Sequence, residues 1–86
     1  MEGQEAFIRV RGPGAIVAAD VDSYRRAGRV STAELQQMQA GGQIFLVPNG
    51  TRVRVLEVTP EYSRVQILSG EHTGKVGLVP PSFVQR

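Results

Sequence analysis

The sequence of 86 residues contains no cysteine, no tryptophan and a single histidine, His72. Without cysteine, neither a disulfide framework nor a thiolate metal site can support the fold. One histidine in a glycine-flanked loop, with no second ligand at metal spacing, is typical of an exposed loop residue rather than of a metal ligand or a general base. These absences predict a protein that is not an enzyme and that uses no cofactor and no metal.

Aromatic residues make up only 6% of the chain, and no apolar run approaches the length that spans a bilayer. The core is therefore expected to consist of valine, isoleucine and leucine, with Phe45 and Phe83 as its larger members. Residues 1–11 carry acids where a signal peptide carries its basic region. We expect a soluble single domain, located either in the cytoplasm or, as the mature part of an exported protein, in the cell envelope.

The charge is nearly balanced, with ten basic and eight acidic residues. This balance permits binding to nucleic acid but does not predict it, because nucleic-acid binders usually concentrate basic residues on one face. Arg25, Arg26 and Arg29 form the densest basic cluster, which we interpret as the solvated face of a helix. Asp20 and Asp22 are interpreted as acids at a helix start rather than as a catalytic pair.

Two short helices are predicted in the first half of the chain. Asp20 is placed to cap the first helix, which Gly28 ends. A capping box at residues 31–34 begins the second helix, and Gly41-Gly42 supplies its left-handed terminator. The helical region therefore extends over about residues 20–41.

The other segments have the composition of β-strands separated by turns. Asn49-Gly50 is a strong hairpin signal, because both residues tolerate the positive φ of a type I′ turn. The alternation of apolar and polar residues slips at Leu56, which predicts a β-bulge. Residues 44–47 are apolar enough for a strand covered on both faces. Pro80-Pro81 should end the strand before it, because neither proline can donate to a ladder.

Three tracts in the second half of the chain resemble the bacterial SH3-like (SH3b-type) domain. Residues 50–56 match a G-T-x-V-x-V-L entry strand, and residues 65–70 match V-x-I-x-x-G. Residues 74–80 match G-x-x-G-W-V-P, with Leu78 at the aromatic position. Residues 80–84, Pro-Pro-Ser-Phe-Val, also resemble the turn of eukaryotic SH3 domains that forms a single 3₁₀ turn before a last short strand.

This resemblance implies a mainly β fold, a small SH3-like barrel of about five strands. The helical region is then a short insertion in the first long loop, between the first and second strands. A single domain is expected over residues 1–86. Its parts are a loose N-terminus at residues 1–6, N-terminal strands with the insertion at residues 7–47, and the strands of the barrel at residues 49–86.

Bacterial domains of this kind are commonly binding or targeting modules for cell-wall peptides or for protein partners. The resemblance therefore implies an interaction module that recognises a protein or peptide. Proline-rich ligands are not expected, because they need a groove lined by several aromatic side chains and most of that face is missing. The residues predicted to bind the partner are Tyr24 from the insertion, Tyr62, Pro80 and Phe83.

A nucleic-acid-binding barrel is the alternative interpretation. Residues 65–79 resemble the KOW element of ribosomal and transcription proteins, with the rhythm V-x-I-x-x-G-x-x-x-G-x-x-G-x-V. In that case basic side chains on neighbouring strands would contact phosphates. The residues predicted for this role are Arg52, Arg54, Arg64 and Lys75. The competing explanation is a solvated sheet face with cross-strand pairs to acids such as Glu57.

Overall fold

In the computed structural model, which describes residues 4–85, the chain forms one antiparallel sheet of seven strands and two α-helices. The strands are β1 (Glu5–Ile8), β2 (Gly14–Ala18), β3 (Ile44–Pro48), β4 (Arg52–Val58), β5 (Ser63–Ile67), β6 (Val76–Val79) and β7 (Val84–Gln85). The helices are α1 (Val21–Ala27) and α2 (Thr32–Ala40), and a 3₁₀ turn covers Pro81–Phe83. The strands lie in the order β3-β2-β6-β5-β4-β1-β7, which confirms the mainly β class.

One face of the sheet carries the main core. Every second side chain of β5 is buried there, as expected when alternate residues point to opposite faces. Strands from both halves of the sheet meet in this core, because Val47 of β3 belongs to the same cluster as Ile8 of β1. The sheet therefore curls around its apolar face. The cluster consists of Ala6, Ile8, Ala15, Val17, Phe45, Val47, Val53, Val55, Val65, Ile67 and Val79.

The seven strands in the described residues exceed the predicted number of about five. Pro80-Pro81 ends β6 at Val79, as predicted. The chain nevertheless returns to the sheet after the 3₁₀ turn, because β7 pairs Val84 with Ile8 of β1. The single 3₁₀ turn before a short last strand has the form that the resemblance to SH3 domains implied.

The helices begin and end close to the predicted residues. The Asp20 carboxylate accepts a hydrogen bond from the Ser23 N–H at 2.7 Å, which caps α1. The Ser31 hydroxyl accepts from the Glu34 N–H at 3.4 Å at the start of α2. Gly42, with a φ of 78°, takes the left-handed conformation that follows α2.

The helical insertion lies between β2 and β3, not between the first and second strands as predicted. The break at Gly12-Pro13 makes β1 and β2 separate strands, which lie at different places in the sheet. β2 and β3 pair with each other from Gly14↔Pro48 to Ala18↔Ile44. The insertion therefore leaves and re-enters the sheet at one end of a single hairpin.

The predicted loose N-terminus at residues 1–6 is wrong for Glu5 and Ala6, which belong to β1. Ala6 is buried in the main core and lies opposite Val53 of β4, so that packing orders this part of the chain. Residues 1–3 of that prediction lie outside the described residues.

The predicted hairpin at Asn49-Gly50 is wrong, because β3 and β4 do not pair with each other. β3 pairs instead with β2, because the helical insertion brings the chain back alongside that strand. The turn is closed by the Thr51 N–H, which donates to the Pro48 carbonyl at 3.1 Å. Of the two residues Asn49 and Gly50, only Gly50 has a positive φ, of 90°. The Asn49 side chain accepts from the Val10 N–H at 3.0 Å, so the turn is held against the start of the chain.

The slip in alternation at Leu56 is confirmed as a β-bulge, because the pairing of β4 with β5 shifts between Val55 and Glu57. The prediction that residues 44–47 are covered on both faces is wrong at Leu46, whose side chain is 48% exposed. β3 lies at the edge of the sheet, and α2 covers only its beginning, where Ile44 packs with Met38.

Candidate functional site

A groove of about 580 Å³ lies between α1, β2 and the 3₁₀ turn. Its apolar side chains come from all three elements: Ile16 from β2, Tyr24 and Ala27 from α1, and Pro80 and Phe83 at the turn. The charged residues that line it are Arg25, Arg29 and Glu61. The volume lies within the ~300–1,000 Å³ range of ligand-binding clefts.

The groove exists because β2 continues beyond the end of β6. These two strands pair only at Ala18↔Leu78. β6 ends at Val79, and Pro80, which has no backbone N–H, leads the chain into the 3₁₀ turn. The space beside the rest of β2 is therefore bordered by side chains of α1 and of the turn.

Three contacts fix α1 to the turn between β4 and β5. The Tyr24 hydroxyl donates to the backbone carbonyl of Glu61 at 2.8 Å. The Arg25 guanidinium donates through Nε to one carboxylate oxygen of Glu61 at 2.9 Å and through Nη2 to the other at 3.1 Å. The Tyr24 ring meets the Tyr62 ring edge-to-face, with 5.9 Å between centroids. These contacts join distant parts of the sequence and set the position of the groove wall.

Thr59 shapes the turn that presents Glu61 to α1. The Thr59 hydroxyl donates to the Tyr62 carbonyl at 3.0 Å and accepts from the Tyr62 N–H at 3.0 Å. The Thr59 N–H also donates to the Tyr62 carbonyl, at 2.8 Å. Because this turn is closed by its own hydrogen bonds, both the carbonyl and the carboxylate of Glu61 are available to α1.

The contacts with Arg25 determine the charge state of the groove rim. The hydrogen bond from Arg25 holds the pKa of the Glu61 carboxyl below its ordinary value, and the same bond raises the pKa of Arg25. Burial, with a smaller contribution from the Glu61 charge, raises the pKa of the Tyr24 hydroxyl. At neutral pH the rim therefore carries an ionised pair, while Tyr24 stays neutral and donates its proton in a hydrogen bond.

Of the four residues predicted to bind the partner, the structure brings Tyr24, Pro80 and Phe83 together in the groove. Tyr62 is not part of the lining and instead supports the Tyr24 ring from behind. Sequence reasoning missed Ile16, Glu61 and the role of Arg25. Arg25 was interpreted as part of a solvated face, and its sequence neighbours give no sign of an acid 36 residues later.

The arginine face, which we define as the outward surface formed by Arg52, Arg54 and Arg64, contains three of the residues predicted for nucleic acid. Arg52 forms a salt bridge with Glu5 of β1. Arg64 forms another with Glu57, at 3.3 Å across the β4–β5 pair. The competing explanation from the sequence, a solvated face with cross-strand ion pairs, therefore describes the arrangement at both of these arginines.

Lys75 and His72 lie apart from the arginine face. The Lys75 ammonium group is 5.2 Å from the centroid of the Phe45 ring, and the His72 ring packs on Phe45 with 4.8 Å between centroids. Phe45 belongs to the main core, which faces away from the three arginines. The four residues predicted to contact phosphates are thus not one surface.

Neither metal ligation nor similarity to other proteins indicates the role of the groove. Among residues 4–85, no group of three or more His, Asp or Glu side chains is arranged to hold a metal ion. None of the helices in that range has the length and apolar character needed to cross a bilayer. Comparison of the chain with protein-family models, with curated proteins and with solved structures found no match.

Proposed function

We propose that the chain is a non-catalytic interaction module that binds a segment of a protein or peptide partner in the groove. The observation that carries this proposal is an apolar floor between the 3₁₀ turn and α1, which is held in place by its contacts with Glu61 and Tyr62, with the charged groups at the rim. Aromatic and proline side chains that line a groove offer flat surfaces to an extended peptide. A cell-wall peptide is one partner of this kind.

We also propose that the fold is a small barrel of the SH3-like kind. The proposal is supported by the curled sheet and by the single 3₁₀ turn before β7. It is further supported by the position of Pro80 and Phe83, which belong to the tract that resembles the SH3 turn, because both line the groove.

Selection of a displayed peptide library against the folded chain tests the proposed binding function. Peptides that are enriched should shift the amide resonances of Tyr24, Ala27 and Phe83 when they are added to the isotope-labelled protein. The substitution Phe83→Ala removes an aromatic surface of the groove and should weaken their binding about tenfold. Selected peptides whose shifts map to another surface would contradict the proposal.

Phe7→Ala is the matched control for that substitution. Phe7 is also a partly exposed aromatic residue, with 38% of its surface accessible, but it lies on β1 outside the groove. Its removal should change peptide affinity by less than about twofold. Equal losses in the two variants would mean that aromatic residues contribute through stability rather than through contact with the peptide.

A further inference from the structure

The backbone of β2 has two edges, and its hydrogen-bonding residues alternate between them. The Ala19 N–H donates to the Gln43 carbonyl at 2.9 Å, and the Asn49 N–H donates to the Pro13 carbonyl at 2.9 Å. Both bonds join positions that are directly opposite in the β2–β3 register. Residues 13, 15, 17 and 19 therefore bond toward β3, whereas Gly14, Ile16 and Ala18 direct their N–H and C=O groups to the other edge.

That second edge is completed only at Ala18, which pairs with Leu78 of β6. Continuation of the same register would place Pro80 opposite Ile16 and Ser82 opposite Gly14. Pro80 has no N–H to donate, and its carbonyl already accepts from the Phe83 N–H at 3.0 Å. Within residues 4–85, Gly14 and Ile16 consequently have no strand partner on this edge.

The unpaired edge and the groove are the same place, because Gly14 and Ile16 both line the groove. Four backbone groups, two N–H and two C=O, are thus presented beside an apolar floor. A strand that added here would lie about 4.8 Å from β2, the usual spacing in a sheet. Exposed strand edges are templates for pairing with another extended segment.

We infer that the partner segment binds as an extended strand that pairs with Gly14 and Ile16 and takes the place that β6 gives up at Pro80. This inference rests on the proposed function and specifies how the partner is held. Main-chain hydrogen bonds supply affinity in this mode, and pockets for alternate side chains supply specificity. One set of alternate side chains contacts the apolar floor, at Ile16, Tyr24 and Phe83.

The rim indicates the charge that the partner carries. Glu61 is occupied by Arg25, whereas Arg29 lines the groove and makes no salt bridge with any residue in the described range. Besides the hydrogen bond from Arg25, the charge of Arg29 helps to lower the pKa of Glu61, but Arg25, Arg29 and Glu61 together leave one net positive charge at the rim. This charge favours an acidic side chain on the partner. The segment that suits the groove is therefore an extended one in which apolar and acidic residues alternate.

An acetylated and amidated hexapeptide of alternating valine and glutamate is the probe for this inference. Before it is added, the Ile16 amide should exchange with solvent about tenfold faster than the Val17 amide, which faces β3. On addition of the peptide, exchange at Ile16 should slow about tenfold and its resonance should shift. The matching hexapeptide of valine and lysine should bind at least about tenfold more weakly.

Backbone methylation of the probe distinguishes strand addition from other modes of binding. N-methylation of one set of alternate residues should weaken binding about tenfold, because those N–H groups face β2. N-methylation of the other set should have little effect. Equal sensitivity of the two sets would overturn the inference while leaving peptide binding in the groove, and hence the proposed function, intact.

Two further outcomes would overturn the inference. One is an Ile16 amide that is already protected in the free protein, or that becomes protected as the protein alone is concentrated, since a second copy of the chain would then fill the edge. The other is a valine–glutamate probe that shifts no resonance in the groove. Neither result would contradict the proposed function, because the selection of a peptide library tests that function separately.

A pair of charge reversals, one in α1 and one just after its C-terminal end, tests the role of the rim. Arg29→Glu should transfer the preference from the valine–glutamate probe to the valine–lysine probe. Arg26→Glu, in the last turn of α1 and outside the groove lining, should leave the preference unchanged within about twofold. A preference that follows neither substitution, or both equally, would contradict the assignment of Arg29.

Discussion

The groove and the arginine face both contain arginine–glutamate pairs, but they differ in how completely the sheet is paired. At the arginine face, β4 pairs with both β1 and β5, and Arg52 and Arg64 each meet a carboxylate on a neighbouring strand. At the groove, β2 passes the end of β6 and presents an edge beneath α1.

This difference explains why similar residues lie in different surroundings. Where strands are paired on both sides, side chains project from a continuous surface, and opposite charges on adjacent strands neutralise one another. Where a strand is unpaired, the missing neighbour leaves both a concave space and backbone groups that need partners. The groove and the arginine face therefore differ more in how completely their strands are hydrogen-bonded to neighbours than in their residue composition.

The largest expected effect comes from Gly77→Ala, at the junction where β6 meets β2. A Cβ atom there would collide with the Val17 side chain and lie 2.8 Å from the Ala18 carbonyl oxygen. We expect a loss of about 2–3 kcal/mol in the free energy of unfolding, measured by denaturant titration. Because both regions share one core, the resonances of the groove and of the arginine face should be lost together.

Gly12→Ala is the control for that substitution. Apart from Gly12 and its two neighbours in the chain, no described atom lies within 4 Å of the position that its Cβ would take. The free energy of unfolding of this variant should stay within about 0.5 kcal/mol of that of the unsubstituted protein. If Gly77→Ala unfolded the groove while the arginine face remained folded, the two regions would be separate cooperative units rather than parts of one core.

The second prediction compares two carboxylates. Glu61→Gln removes the charge that holds α1, whereas Glu57→Gln removes a cross-strand partner of Arg64 within the sheet. We expect Glu61→Gln to shift the resonances of Tyr24 and to weaken binding of uncharged groove peptides about threefold, since the wall they contact is less fixed. Glu57→Gln should leave the Tyr24 resonances and peptide binding unchanged. Equal effects of the two substitutions would show that the position of α1 does not depend on the ion pair between Arg25 and Glu61.

The third prediction concerns acid. Because the pKa of Glu61 is lowered in the folded chain, the unfolded chain binds the proton more readily. The stability that Glu61 contributes is therefore complete above its ordinary pKa of 4.5 and is lost as the pH falls through the lowered folded value. The contribution of the Asp20 cap changes in the same direction, since the hydrogen bond from the Ser23 backbone lowers the pKa of Asp20.

Titration followed by the resonances of Tyr24 and Ala27 measures this effect. The Tyr24 signals should change with a midpoint below the ordinary pKa of Glu61, and that step should vanish in Glu61→Gln while the Asp20 step remains. A midpoint at or above the ordinary value would show that Arg25 does not hold the carboxylate in solution.

The smallest expected effect tests the arginine face. Two of its three arginines, Arg52 and Arg64, are paired with Glu5 and Glu57, so the unsubstituted protein should bind a single-stranded oligonucleotide only weakly at low salt. Replacement of both acids by glutamine should raise the affinity about threefold and steepen its dependence on salt. Strong, salt-sensitive binding by the original protein would instead support the nucleic-acid interpretation and make the arginine face the functional surface.

Local signals in the sequence predicted local structure correctly. Asp20 and Ser31 cap the two helices, because a cap depends on a hydrogen bond only three residues away. The slip in alternation at Leu56 likewise corresponds to a bulge between two adjacent strands. In these cases the residues that determine the geometry are also neighbours in the sequence.

Pairing between distant segments was not predictable in the same way. Asn49-Gly50 has hairpin composition, but β3 pairs with β2, which the insertion brings alongside, and β4 pairs with β1 and β5. At the groove, Pro80 and Phe83 were found through the match to SH3 domains and Tyr24 through its place on the insertion. Glu61 was missed because only the folded sheet brings it to Arg25.

The return of the helical insertion to one end of the β2–β3 hairpin has a consequence for how this chain can change. The ladder from Gly14↔Pro48 to Ala18↔Ile44 is set by residues outside the insertion. Length and sequence between residues 20 and 42 can therefore vary without moving any strand out of register. Such variation alters one wall of the groove and spares the main core, so that the helical segment can change, by evolution or by design, while the sheet stays constant.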